Sequence, residues 1–288
     1  MADEDPPRSL AARAAAELAL VRIANYYGGR PEFVLLGGLV PALLCARSDT
    51  RHAGTTDVDV QVDLEISAGS VNAARLEQAL RNAGFHPDGQ YIWRWRSGDG
   101  HQGATVKFEL LADLDTERAG ETIKFTNCDD LGAANLRGTG FAARDREVRT
   151  IVADDHGDQR QAEIYVTGLA GFLLAKTAAA YSRRKPKDWY DIAYVLLNND
   201  YGDSTAAAAE RVWQVFGASI ASAESALRDL NANFAEPSAQ GTSAYVDQIT
   251  LDYPDIDPVT AAADGQIAVQ TFCDDLLSRL ADQGSPQT

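Results

Sequence analysis

Cysteine is scarce in this chain: Cys45, Cys128 and Cys273 are the three it has in 288 residues. They are far apart, odd in number and form no CxxC pair, which argues against a disulfide framework and against a zinc site. A reducing cytoplasm is the simplest setting, and Cys45 reads as a core residue of an apolar helix. Long hydrophobic runs are also missing. No stretch approaches the ~18 apolar residues that span a bilayer. The richest one, residues 165–180, is shorter and leads into Arg183, Arg184 and Lys185, so no membrane partner is expected. The first residues, MADEDPPR, lack the basic start of a signal peptide. Positive charge is short too: 26 Lys and Arg face 42 Asp and Glu, a net charge of −16. That balance weighs against a nucleic-acid partner for the chain as a whole. The deficit is uneven, however. Residues 200–288 hold 14 acids and 3 bases, a net −11, whereas residues 137–187 hold 10 bases and 6 acids, a net +4. Screening confines charge effects to ~8–10 Å, so a basic surface can exist on an acidic protein.

With 45% hydrophobic residues the chain can bury a proper core, and its length suits one large domain or two ordinary ones. Residues 9–27 read as a helix, with Ser9 as N-cap, an apolar stripe at Leu10, Ala14, Leu18 and Val21, and a stop at Gly28-Gly29. Residues 33–36 form a short apolar strand, Gly37-Gly38 a tight turn, and residues 39–47 a buried helix. The run Asp57-Val58-Asp59-Val60-Gln61-Val62-Asp63 alternates strictly, as a half-buried strand does. Residues 70–83 are helical with Ser70 as N-cap. Strands follow at 91–96 and 104–111, joined by turns at Gly98, Gly100 and Gly103, then short ones at 124–126, 148–152 and 163–166. From residue 167 the period becomes helical. Helices are expected at 167–182, at 187–197 with Pro186 in the first turn, at 206–233 and at 259–280, with a short helical piece between the last two and residues 236–243 as a loop. There is no internal repeat. The expected organisation is a core domain over residues 1–166 and a helical domain over 167–288.

Four pieces of this chain carry chemistry. Leu35-Leu36-Gly37-Gly38 runs from a strand through a double glycine into a helix, where glycine lets backbone approach a ligand and a helix start offers free N–H groups. That arrangement suits a triphosphate, although such turns are more often only turns. In Asp57-x-Asp59, residues i and i+2 of a strand share a face, ~6.5–7 Å apart. Two carboxylates there can hold hard cations, which phosphoryl-type transfer needs; the competing reading is a solvated strand face, which Asp63 shares. In Lys107-Phe108-Glu109, Glu109 is a candidate third carboxylate, as metal ligand or base, or half of an ordinary cross-strand ion pair. Finally, Lys176 sits in a mostly apolar helix and must snorkel or meet a partner. A triphosphate would serve, and so would Asp188 or Asp191, which are three apart and share a helical face. Arg183, Arg184, Lys185 and Lys187 form a basic cluster that is either a nucleic-acid contact or a solvated helix end.

The order Leu-Gly-Gly, then Thr56-Asp57-Val58-Asp59, then Lys-Phe-Glu-Leu, then Ala175-Lys176 and Lys187-Asp188-x-x-Asp191 resembles the AbiEii family. These are nucleotidyltransferase-like toxins of abortive-infection systems, and they include the MenT toxins. The resemblance covers roughly residues 32–197. It implies a mixed α/β (α+β) nucleotidyltransferase core of the polymerase-β type, with a mixed sheet flanked by helices and a helical C-terminal lobe. It implies that Asp57 and Asp59 hold Mg²⁺, that Lys176 grips the nucleotide phosphates and that Asp191 completes the site, with Asp188 beside it. The donor is an NTP, with a pyrimidine nucleotide as candidate. The acceptor in studied relatives is the tRNA 3′ end, whose extension blocks aminoacylation and translation. A cognate antitoxin is an expected partner, and the basic cluster is the expected RNA contact. The chain departs from the wider pattern at two points. Gly37-Gly38 stands where Gly-Ser is common, so Thr55 or Thr56 must supply the hydroxyl. Ala53 stands where many relatives carry arginine, leaving Arg51 as the nearest phosphate-binding candidate. Two alternatives accompany this reading. One is transfer to a small molecule such as an aminoglycoside, which an acidic surface suits, or to a protein hydroxyl. The other is a non-catalytic module or antitoxin-type partner that keeps the fold without turnover.

Overall fold

A computed structural model describes residues 9–52, 54–55, 57–62, 71–97, 105–202 and 204–284. Ala53, Thr56, Asp63, Ser70, Gly98, Gly100 and Gly103 lie outside the described residues. The chain divides into two compact units. The first comprises Met1–Val40 with Ala53–Thr167, and the second Pro41–His52 with Gly168–Thr288.

In the first unit, α1 (Leu10–Tyr27) begins as expected, with Ser9 Oγ accepting a hydrogen bond from Ala12 N at 3.1 Å. It ends at Gly28, whose φ of 74° favours a residue without a Cβ. β1 (Phe33–Leu36) follows, then a 3₁₀ turn (Gly37–Leu39) that leads into the short α2 (Val40–Leu44), which from Pro41 on belongs to the second unit. A helix to residue 47 was expected. It stops at Leu44, so Cys45 is buried just beyond it rather than within it. β2 (Asp57–Val62), α3 (Val71–Asn82), β3 (Phe85–Pro87), β4 (Arg94–Ser97), β5 (Lys107–Ala112), β6 (Thr122–Lys124), β7 (Gly132–Asn135), α4 (Gly140–Arg144), β8 (Arg146–Asp155) and β9 (Asp158–Thr167) complete the unit.

The described strands form one mixed sheet, in the order β3-β4-β5-β2-β1-β9-β8, with β7 pairing β5 and β6 beside it. β2 lies between β1, antiparallel, and β5, parallel; Asp59 pairs with Leu36 on one side and Glu109 on the other. The apolar side of β2, Val58 and Val60, is fully buried. Around it, Phe33 meets Phe108 edge-on at 5.7 Å. Helix α1 packs against α3 and along β8 and β9, and α4 contacts β1, β2 and β9. The two short strands expected at 148–152 and 163–166 lie within the two ten-residue strands of one antiparallel hairpin, β8 and β9.

The second unit is helical: α5 (Leu169–Arg183), α6 (Pro186–Asn198), α7 (Thr205–Phe216), a 3₁₀ segment (Gly217–Ala223), α8 (Glu224–Ala232), α9 (Gln240–Asp252) and α10 (Pro258–Gly284). Pro186 occupies the first turn of α6. The single helix expected over 206–233 is broken at Gly217, whose φ of 49° interrupts the right-handed path. The expected loop 236–243 is shorter, because α9 starts at Gln240. Helix α10 packs on α6, α7, α8 and α9 over Phe272, Cys273 and Leu276. The segment Pro41–His52 belongs to this unit and is tied to it. Asp200 accepts from Ala46 N and Arg47 N at 3.0 and 3.1 Å, and Ser48 and Thr50 both donate to Asn198 Oδ1. None of the described helices is long and apolar enough to cross a membrane.

Candidate active site

In the first unit the polar side of β2 carries Asp57 and Asp59. Their neighbours across the parallel register on β5 are Lys107 and Glu109. Four polar side chains thus project from one face of two adjacent strands, over a core of Val58, Val60, Phe108 and Leu110 that fixes the strands' rotation. The glycine turn completes the arrangement. Gly37 has φ +81°, and a β-carbon there would collide with the Asp59 carboxylate, reaching within 2.8 Å of its Cγ. Only glycine admits both the backbone angle and the carboxylate. At Gly38 a β-carbon would press on Thr55 at 3.0 Å. Thr55 Oγ1 accepts from Asp57 N at 3.1 Å, which pins the start of β2 and leaves the hydroxyl proton available as a donor.

Glu109 takes part in a cross-strand ion pair: Arg94 Nε donates to its Oε1 at 2.6 Å. Even so, its carboxyl is pushed up to about 7, first by burial and then by the negative charge of Asp59, with Asp57 adding to it; Arg94 opposes them. The cluster is therefore overloaded with like charge, a condition that an oxygen-seeking divalent cation relieves. No group of three His, Cys, Asp or Glu forms a ready cage for a metal among the described residues. Mg²⁺ does not require one, since it is commonly held by one or two carboxylates together with substrate phosphates. Asp57 and Asp59 fit that role.

In the second unit, Lys176 on α5 is 6% exposed and its Nζ lies 3.1 Å from Asp188 Oδ1 and 2.7 Å from Asp191 Oδ2. Arg183 clasps the Asp188 carboxylate with both Nε and a terminal nitrogen at 2.7 Å. Burial alone would raise the Asp188 carboxyl, but Lys176 and Arg183 more than offset it and hold it below the ordinary value. The other oxygen of Asp191 meets Nε2 of His52 at 2.9 Å. That imidazole is almost fully buried, stacked on Tyr190 at 5.2 Å and edge-on to Tyr194 at 4.9 Å. Tyr194 Oη in turn donates to Thr50 O at 2.6 Å, so the loop that delivers His52 is held by the helix it packs against.

A family model described as nucleotidyl transferase AbiEii toxin, type IV toxin–antitoxin system, matches residues 19–265. The chain belongs to the AbiEii family. Among curated proteins none matches it. The matched residues take in both the acidic face of β2 and β5 in the first unit and the Lys176 network in the second, and the mixed sheet with C-terminal helices is consistent with a nucleotidyltransferase fold.

Within this AbiEii chain, Gly37, Gly38, Thr55, Asp57, Asp59 and Glu109 come together in the first unit, and Lys176, Asp188 and Asp191 in the second. Thr56 is outside the described residues. Arg51 is exposed; its backbone N–H and C=O both bond to the Tyr253 hydroxyl, so its loop is anchored by α9's end. In the basic cluster, Arg183 is engaged with Asp188 and Arg184 with Asp229, while Lys185 and Lys187 are half-buried. Sequence reasoning missed Arg94 and His52. A register between β4 and β5 would have exposed the first. The second had a usable signal, since a histidine in a polar loop just before Asp57-x-Asp59 was available for scrutiny.

Proposed function

We propose that this AbiEii-family chain transfers a nucleoside monophosphate from an NTP to the 3′ end of tRNA, halting translation, with an antitoxin restraining it in the cytoplasm. The observation that carries this reading is the Asp57-x-Asp59 pair with the Asp59 carboxylate packed against a glycine that tolerates no side chain. A mere solvated strand face gives no reason for that fit. In the reaction, the 3′-hydroxyl oxygen bonds to the α-phosphorus, the bond from that phosphorus to the β-bridging oxygen breaks, and pyrophosphate leaves with the electron pair.

Mg²⁺, when bound, supplies charge neutralisation and alignment of the attacking and leaving oxygens. Asp57 and Asp59 would hold it. Glu109, oriented by Arg94, is the third carboxylate; a carboxyl near 7 is poised to take up the proton of the acceptor hydroxyl. The Thr55 hydroxyl and the Gly37-Gly38 backbone serve the triphosphate, with Arg51 as a further contact. Lys176 supplies positive charge for the phosphates. Asp188 and Asp191 hold its ammonium in place, and His52 holds Asp191. Arg183, Arg184, Lys185 and Lys187 offer the basic surface for RNA, which makes binding salt-sensitive.

The test is incubation with each of the four α-³²P NTPs, Mg²⁺ and total RNA, followed by sequencing of RNA 3′ ends. The expected result is label on tRNA from one NTP, with pyrimidine nucleotides as first candidates, and none from Asp59→Ala. Unlabelled RNA together with a labelled aminoglycoside or protein would replace the acceptor. No transfer to anything, with equal growth of cells expressing wild type and Asp59→Ala, would favour a fold kept without turnover.

A further inference from the structure

The carboxylate cluster has an aromatic neighbour that the proposed chemistry does not use. Tyr91 and Trp93 lie just before β4 with ring centroids 4.9 Å apart and planes tilted by 37°. Tyr91 is 41% exposed and Trp93 half-buried. The Arg94 guanidinium lies over both rings, 5.0 Å from the Tyr91 centroid and 4.8 Å from that of Trp93. Its Nε is the donor that reaches Glu109. One guanidinium therefore lies against a partly exposed aromatic pair and bonds to one of the acids.

The backbone beneath these rings is fixed. Tyr91 O accepts from Arg94 N at 3.1 Å, Ile92 O from Gly132 N at 3.1 Å and Trp93 O from Leu110 N at 2.9 Å. The platform is thus built in advance rather than assembled from a loose loop, which lowers the ordering cost of a ligand. Partly exposed aromatic rings with an arginine beside them are the usual stacking surface for unpaired bases, because every base has a π-face.

We infer that Tyr91 and Trp93 form a stacking site for a nucleobase, held beside the carboxylates by Arg94. The inference rests on the nucleotidyl-transfer reading for its purpose. The base can belong to the incoming NTP or to the terminal nucleotide of the RNA acceptor, and the chemistry of stacking is shared by both.

The test uses the full chain with Tyr91→Leu, Trp93→Leu and Tyr91→Phe. Leucine keeps apolar packing and removes the π-face, while phenylalanine retains the ring. NTP is varied at saturating RNA, then RNA at saturating NTP. The expected result is a rise of about 5- to 100-fold in one KM for each leucine variant, with near-normal values for Tyr91→Phe. A shift in the NTP series assigns the donor base, and a shift in the RNA series the acceptor base. Both KM values within about twofold of wild type, in variants with unchanged circular dichroism, would overturn the site. Equilibrium titrations with an NTP and with a short single-stranded RNA oligonucleotide need no turnover. A wild type that transfers nothing, yet binds a probe that Tyr91→Leu releases, keeps the platform and loses the transferase reading. A wild type that binds neither probe loses the platform.

Discussion

The two units handle charge in opposite ways. In the first, Asp57, Asp59 and Glu109 converge with Arg94 bonded to Glu109, and burial, then the negative charge of Asp59 and Asp57, pushes the Glu109 carboxyl up to about 7. In the second, two buried carboxylates, Asp188 and Asp191, meet Lys176, Arg183 and His52, and the Asp188 carboxyl is held below its ordinary value. One cluster is electrostatically strained; the other is internally matched. Strain of the first kind is stored at functional sites at the expense of stability. A matched buried network is part of the fold, and breaking one partner leaves a charge without its counter-ion. The same kind of substitution should therefore have different consequences in the two units.

The largest expected effect is on turnover, from the strained cluster. Asp59→Ala removes a carboxylate proposed to hold Mg²⁺ and should cut transfer by about 10³-fold or more. Its melting temperature should stay near that of wild type, because the lost group was repelled by its neighbours. A large drop in melting temperature, seen by differential scanning calorimetry, would mean that the acids of the first unit are structural after all.

Next comes the matched network. Asp188→Asn takes the counter-charge from Lys176 and Arg183. Arg183 can turn its half-exposed guanidinium to water, and Lys176 keeps Asp191 at 2.7 Å, so the cost should fall at the low end for a broken buried pair, about 3 kcal/mol. Denaturant titration measures it. The pH dependence has a definite sign. Asp188 has a depressed folded value, so its contribution is full above the unfolded carboxyl value and is lost as pH falls through the folded one. Wild type should lose this increment in acid, and Asp188→Asn should show a flatter acid limb.

How much of this was legible in the sequence depends on how far apart the partners lie in the chain. Asp57 and Asp59 declared themselves through strict alternation with Val58 and Val60, a local signal, and α1 through Ser9 and Gly28. The break at Gly217 was hidden because glycine is tolerated in a helix, and nothing local says that this one takes φ 49°. Strands β3 and β7 are three and four residues long, too short to show a period. His52 pairs with Asp191 across 139 positions, so its place in the polar loop before Asp57-x-Asp59 marks it without naming its partner, and Arg94 meets Glu109 across a register that only the sheet defines. Lys176 was a middle case. Its apolar surroundings demanded a partner, and the reading left open whether a phosphate or the aspartates would serve; in the described structure the aspartates do.

A third effect lies at the glycine turn. Gly37→Ala forces a side chain into a left-handed conformation and onto the Asp59 carboxylate. The strain should cost about 1–3 kcal/mol, and the displaced carboxylate should weaken Mg²⁺ activation. Activity titrated against Mg²⁺ should shift to higher concentrations. Gly38→Ala, which only presses on Thr55, should shift it less.

The smallest expected effect is the one that tests the strain directly. Glu109 has a raised folded value, so its ionisation costs the fold nothing below the unfolded carboxyl value, and the cost accumulates until pH passes about 7. Without divalent metal, melting temperature should therefore decline as pH rises over that window. Asp59→Asn removes the strongest like charge acting on Glu109 and should flatten the decline, gaining stability at pH 8. Added Mg²⁺ should do the same for wild type, since a ligand that binds only the folded chain stabilises it by mass action, and should do little for Asp59→Asn. If Asp59→Asn is instead less stable than wild type in metal-free buffer at pH 8, Asp59 is already balanced within the protein. The two units would then manage charge alike, and the contrast between them would fail.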